Sequence, residues 1–124
     1  MTTHREIANE ACRELKQVPG ISKIVLYGSV ARGEEKLDSD IDLAIIFEDW
    51  EKGFPLDLEG HPIKEMPIIN QITRRIGRKY GIHIETNPGY SDDFEKGRII
   101  LEGTKYDRTD KLHEVGEVIY DWLN

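Results

Sequence analysis

The sequence predicts an α+β fold, a small sheet with helices packed mainly on one side. Three observations point to it: apolar residues recur at helical spacing in separate segments, short β-branched runs lie between them, and Gly or Pro stands at the joints. Thr3 to Val18 reads as the first helix. Thr3 and Glu6 make a capping box, and Ile7, Ala11, Leu15 and Val18 share one face. Pro19-Gly20 ends it. Ile21 to Tyr27, β-branched and aromatic, is a strand, and Gly28-Ser29 turns it into a short helical stretch, Val30 to Arg32. Gly33 to Ser39 is polar and loop-like. Ile41 to Phe47 is a second strand, apolar on both faces beyond Asp42 and therefore expected in the middle of the sheet.

Glu48 to Pro62, interrupted by Gly and Pro, reads as an irregular excursion. Pro67 to Tyr80 is helical, with Ile68, Ile69, Ile72 and Ile76 along one face and Gly81 just past the end. Ile82 to Thr86 is a third, short strand, followed by a turn at Asn87-Pro88-Gly89. Asp92 to Glu102 is expected to be a helix weakened by Gly97. Thr109 to Leu123 is expected to be the last helix, with Leu112, Val115, Ile119 and Trp122 on one face, mostly core, any exposed remainder being a docking face.

The chain has 124 residues, which fits a single domain over 1–124. It carries 17 Lys and Arg against 24 Asp and Glu, a formal net charge of −7. That balance argues against a grip on bulk nucleic-acid backbone, which needs clustered cations, yet leaves room for one phosphorylated ligand in a local site. The longest apolar runs, such as Leu43 to Phe47, are far too short to span a membrane, and no leader pattern opens the chain. Cys12 is the only cysteine, so no internal disulfide can form and a cytoplasmic setting is expected. The histidines are scattered without metal-ligand spacing, which disfavours a structural zinc site.

The chemistry concentrates in Val25 to Phe47, VLYGSVARGEEKLDSDIDLAIIF. Gly28-Ser29 directly follows a strand and opens a helix, a junction that offers N–H groups and a hydroxyl to an anion. Asp40 follows Ser29 by eleven residues, then Ile41 and Asp42. Residues two apart on a strand share a face, so Asp40 and Asp42 should project side by side and repel unless a cation lies between them. Carboxylates together with substrate phosphates are how Mg²⁺ is usually held. One half of the motif suits a triphosphate and the other the metal that accompanies it.

Gly28-Ser29 and Asp40-Ile41-Asp42, within GSVARGEEKLDSDIDLAI, closely resemble the signature of the DNA polymerase β-type nucleotidyltransferase superfamily, specifically its minimal nucleotidyltransferases. The strong likeness covers about 20 residues, and a weaker one extends to the ILEGTKY segment near Ile100. The resemblance implies the nucleotidyltransferase (polymerase β-like) fold, α+β with a small mixed sheet. It also implies Mg-dependent transfer of a nucleoside monophosphate, AMP from ATP before other triphosphates, onto a hydroxyl. By the same resemblance, Gly28 allows close phosphate approach and Ser29 hydrogen-bonds a phosphate. Asp40 and Asp42 ligate two Mg²⁺ ions, and a third carboxylate on a neighbouring strand binds metal and helps deprotonate the acceptor. Glu85 is the candidate for that third position, with His83, on the same strand face, as the alternative.

Arg32, one helical turn from Ser29, is either a phosphate contact or the partner of Glu34 or Glu35. Arg74, Arg75, Arg78 and Lys79 form a basic cluster read as a solvated helix face. The resemblance further implies an acceptor on a partner protein, as for antitoxins of this type paired with a small helical HEPN toxin. The competing expectation is a nucleotide- or partner-binding module that has lost transfer.

Overall fold

A computed structural model describes residues 2–48, 65–101 and 110–121. The expected excursion beyond Glu48, the ILEGTKY segment after Leu101 and Trp122 lie outside the described residues. Helix α1 (His4–Leu15) starts at the anticipated capping box: the Glu6 N–H donates to Thr3 Oγ1 and the Thr3 N–H to Glu6 Oε1. Strand β1 (Ile21–Tyr27) and strand β2 (Ile41–Phe47) match their expected bounds, with α2 (Gly28–Arg32) between them. The long helix α3 (Glu65–Tyr80), strand β3 (Ile84–Tyr90) and short α4 (Ser91–Glu95) follow. The remaining elements are β4 (Ile100–Leu101), β5 (Asp110–Lys111), α5 (Leu112–Val115) and β6 (Glu117–Asp121).

The main sheet runs β3-β2-β1-β6 and is mixed. Strand β1 pairs antiparallel with both β2 and β6, while β2 pairs parallel with β3. Strands β4 and β5 form a separate two-stranded ribbon. The two long helices cover one face, where Ile7, Ala11 and Leu15 of α1 and Ile69 and Ile76 of α3 meet Ile24, Leu26, Leu43, Ile45 and Phe47 of the sheet. On the opposite face Val25, Tyr27, Ala44 and Ile46 pack against Phe94 of α4 and Leu112. Strands β1 and β2 are thus covered on both sides, as the continuous apolar run of β2 requires.

Lys23 is buried and its ammonium lies 3.8 Å from Glu95 and 3.7 Å from Asp121, so a buried charge ties α4 and β6 to β1. Helices α1 and α3 are clamped outside the core. Glu10 accepts from the Tyr80 hydroxyl at 2.5 Å and from Lys79 at 3.1 Å, and Glu14 pairs with Arg75.

Three elements differ from expectation. The last helix is a single turn, and Glu117–Asp121 is a strand rather than its continuation. Gly116, in extended conformation, breaks the helix where Val25 and the Leu112 carbonyl leave no room for a Cβ, and the β-forming run Val118-Ile119-Tyr120 pairs with the open side of β1. The apolar stripe is therefore dispersed: Leu112 is core, Val115 is exposed and Ile119, now on β6, packs partly buried against the helix-covered core. Secondly, Asn87-Pro88-Gly89 continues β3 instead of turning. An edge strand tolerates Pro, and Gly89 sits where Ile46 and Ile99 leave no room for a Cβ, 3.3 and 2.8 Å away. Thirdly, the helix expected from Asp92 is only the five residues of α4, followed by Gly97 with φ +67.

Candidate active site

The candidate site lies where β1 ends and β2 and β3 begin, beside α2. Gly28 has φ +79, a conformation that favours glycine, and it lets the chain leave extended Tyr27 and enter α2 within one residue. Gly33, φ +71, closes α2 with its N–H on the Ser29 and Val30 carbonyls, and the Glu34 N–H also donates to the Ser29 carbonyl, 2.9 Å away. The loop from Gly33 returns over this turn to Asp40. It is pinned by the Lys36 N–H on Ser39 Oγ (2.8 Å) and by His4 Nε2, which donates to the Ser39 carbonyl at 3.0 Å. His4 is buried in the first turn of α1, and nothing in the sequence singles it out as an anchor for the residue preceding Asp40.

Ser29, Arg32, Glu34, Lys36, Asp38, Ser39 and Asp40 line a cleft of 390 Å³. Ser29 is 5% exposed, and its Oγ has no hydrogen-bond partner among the described residues. A buried hydroxyl without a partner costs about 1–3 kcal/mol, a cost that an external acceptor would relieve. Arg32 pairs with Glu34 at 3.0 Å, the second of its two expected roles, and it lines the cleft.

Asp42 lies in β2, in register with Tyr27 of β1 on one side and Glu85 of β3 on the other. Asp40 precedes the strand and is exposed at the cleft. The parallel register therefore brings Glu85, from a distant segment, beside the Asp40-Ile41-Asp42 strand entry. The His83 and Glu85 side chains do share a face, and they bond to each other, Nε2 to Oε2 at 2.9 Å. Among the described residues, no three Asp, Glu, His or Cys side chains stand close enough together to enclose a metal ion. The candidate ligands Asp40, Asp42 and Glu85 are all carboxylates, the donor chemistry that suits a hard divalent cation with substrate phosphates. Across β2, the Asn87 amide donates to the Tyr27 hydroxyl at 2.6 Å, next to Asp42. Neither residue was expected at the site, because only the register joins them.

The Nucleotidyltransferase domain family matches residues 4–119, so the chain belongs to that family, transferases that draw on a nucleoside triphosphate and generally on divalent metal. A protein of Methanocaldococcus jannaschii, named as a candidate protein adenylyltransferase, is 39% identical over 56 residues. That alignment spans 43% of this chain and 65% of the relative's length. A solved toxin–antitoxin with AMP-PNP has a chain of the same fold, at TM-score 0.52 and 13% identity over 96% of this chain and 74% of that one. A Sulfolobus solfataricus crystal structure, of a candidate nucleotidyltransferase, gives TM-score 0.48 and 16% identity over 95% and 80%. Among the described residues no helix is long and apolar enough to cross a membrane.

Proposed function

We propose that this domain transfers AMP from ATP to a hydroxyl on a partner protein, a HEPN-type toxin being the first candidate. The buried, unpartnered Ser29 Oγ, in a cleft shared with Asp40, carries the reading. The adenylyltransferase name of the archaeal relative and the AMP-PNP in the toxin–antitoxin neighbour support the donor and the kind of acceptor.

In this reading Ser29 donates to a phosphate oxygen, Gly28 lets the phosphate approach the backbone, and Arg32 and Lys36 balance charge at the cleft mouth. Asp40, Asp42 and Glu85 would hold Mg²⁺, two ions by the family resemblance, which supplies neutralisation of the triphosphate charge. Glu85 takes the proton of the acceptor hydroxyl. The hydroxyl oxygen bonds to the α-phosphorus, the bond from that phosphorus to the β-bridging oxygen breaks, and pyrophosphate leaves. Tyr27 and Asn87 steady the sheet beside Asp42.

A nucleotide-binding module without turnover is the second reading, favoured by the His83–Glu85 bond, which occupies one oxygen of the candidate base. The test is Asp42→Asn. Mg-ATP affinity by calorimetry should fall roughly tenfold or more, about 1.4 kcal/mol, with the melting curve intact. Mass spectrometry of a co-expressed partner should show added AMP with the wild type and none with the variant. Unchanged Mg-ATP affinity removes Asp42 from the metal site. Binding without label on any protein favours the second reading.

A further inference from the structure

The fold divides the basic cluster of α3. Arg75 and Lys79 are engaged by Glu14 and Glu10 of α1. Arg74 and Arg78, one helical turn apart and exposed, make no ion pair or hydrogen bond among the described residues. Both line a groove of 460 Å³ between α3 and β3, together with Asn70 and Thr73, and the groove runs to His83 and Glu85. A chain of net charge −7 has acids in surplus, yet among the described residues these two guanidiniums are left unmatched beside the groove. Positions four apart on a helix set two forks side by side, and each fork can engage a carboxylate through two parallel N–H donors.

We propose that this groove binds an acidic segment of the protein acceptor, with Arg74 and Arg78 engaging carboxylates that flank the hydroxyl-bearing residue. The inference rests on the transfer reading above and names the sequence class of its acceptor. A segment lying along α3 with its acids on the arginines has its neighbouring residues at the Glu85 end of the groove. The trough fits a peptide better than a polynucleotide. Among the described residues lining it there is no Phe, Tyr or Trp on which bases would stack, and Glu85 repels a phosphate backbone.

The test uses the full chain without nucleotide and three fluorescein-labelled probes followed by anisotropy at low salt. One is a peptide of about a dozen residues with a single Tyr flanked by Asp and Glu, the second carries Asn and Gln instead, and the third is a single-stranded RNA of similar length. The acidic peptide should bind roughly tenfold or more tightly than the neutral one, and weaken with salt. The double variant Arg74→Gln plus Arg78→Gln should lose about tenfold for the acidic peptide while its melting temperature and Mg-ATP affinity stay those of the wild type. Equal binding of the two peptides, or an unchanged affinity in the double variant, overturns the proposal. Arginine-dependent RNA binding tighter than that of the acidic peptide also overturns it, in favour of a nucleic-acid groove. Because no nucleotide is present, a failure here leaves the transfer reading standing. Absent AMP transfer with intact peptide binding would instead strike the transfer reading alone.

Discussion

Ser29→Ala should push stability and nucleotide affinity in opposite directions. In the free protein the Ser29 hydroxyl is buried without a partner among the described residues, at a cost of about 1–3 kcal/mol. Alanine removes that cost and is the better helix former, so the variant should be about 1 kcal/mol more stable, or roughly 4 °C in melting temperature. With ATP the sign reverses. A hydrogen bond to a charged phosphate contributes about 1.5–3 kcal/mol, so affinity should fall about 10- to 150-fold. At ATP near 100 times the wild-type Kd, the wild type gains about 2.7 kcal/mol and a tenfold weaker variant only about 1.4. The advantage of the variant is then cancelled or inverted. Melting curves without and with Mg-ATP, together with calorimetric titration, read both effects. A variant that melts lower than wild type without ATP, yet binds ATP unchanged, would refute the assignment of the hydroxyl to a phosphate.

Two further outcomes follow from the same geometry. Glu85→Gln should lower turnover about 100-fold or more while ATP affinity changes far less, since a proton acceptor acts in the transition state. Intact turnover in Glu85→Gln combined with a loss in His83→Ala would hand that role to His83. The Glu10 carboxyl is held below its ordinary value of 4.5, first by the Tyr80 hydroxyl and then by Lys79, so the stability it contributes is complete above that value and lost as pH falls through the lowered one. Glu10→Gln should therefore differ most from wild type near neutral pH, the gap in urea midpoint narrowing on acidification. A gap independent of pH would show that the α1–α3 clamp does not act through this charge.

The parts of the fold legible in the sequence are those where local and tertiary preferences agree. Thr3 and Glu6 cap α1 as their spacing demands, and the apolar run of β2 declares a strand buried on both sides. The C-terminal stretch misleads because Leu112, Val115 and Ile119 satisfy helical periodicity. The competing signal, Val118-Ile119-Tyr120 after Gly116, wins only because β1 offers an open flank, a fact no local window contains. Asn-Pro-Gly spells a turn locally, yet at a parallel edge its missing N–H and missing Cβ are accommodated. At the site, Gly28, Ser29, Asp40 and Asp42 are close in sequence and could be read together. Glu85 could be proposed, but its place beside Asp42 is a matter of register. His4, Tyr27 and Asn87 reach the site through contacts between segments far apart in the chain. The division of the α3 cluster into engaged and unengaged arginines likewise depends on where α1 places Glu10 and Glu14.

The pairing of β6 with β1 also sets the order in which the molecule can be finished. Lys23 and Asp121 face each other across that pairing, about a hundred residues apart in the chain, so closing it costs more loop entropy than joining β1 to β2. On a ribosome, α1, β1, α2 and β2 can collapse early, but one flank of β1 stays exposed until the last described strand has emerged. Among the described residues, the buried ammonium of Lys23 has Glu95 as its ion-pair partner until then, and gains Asp121 when β6 pairs. The sheet is thus completed only once β6 has emerged, and a chain cut short before Glu117 presents a bare strand edge that another copy can pair with.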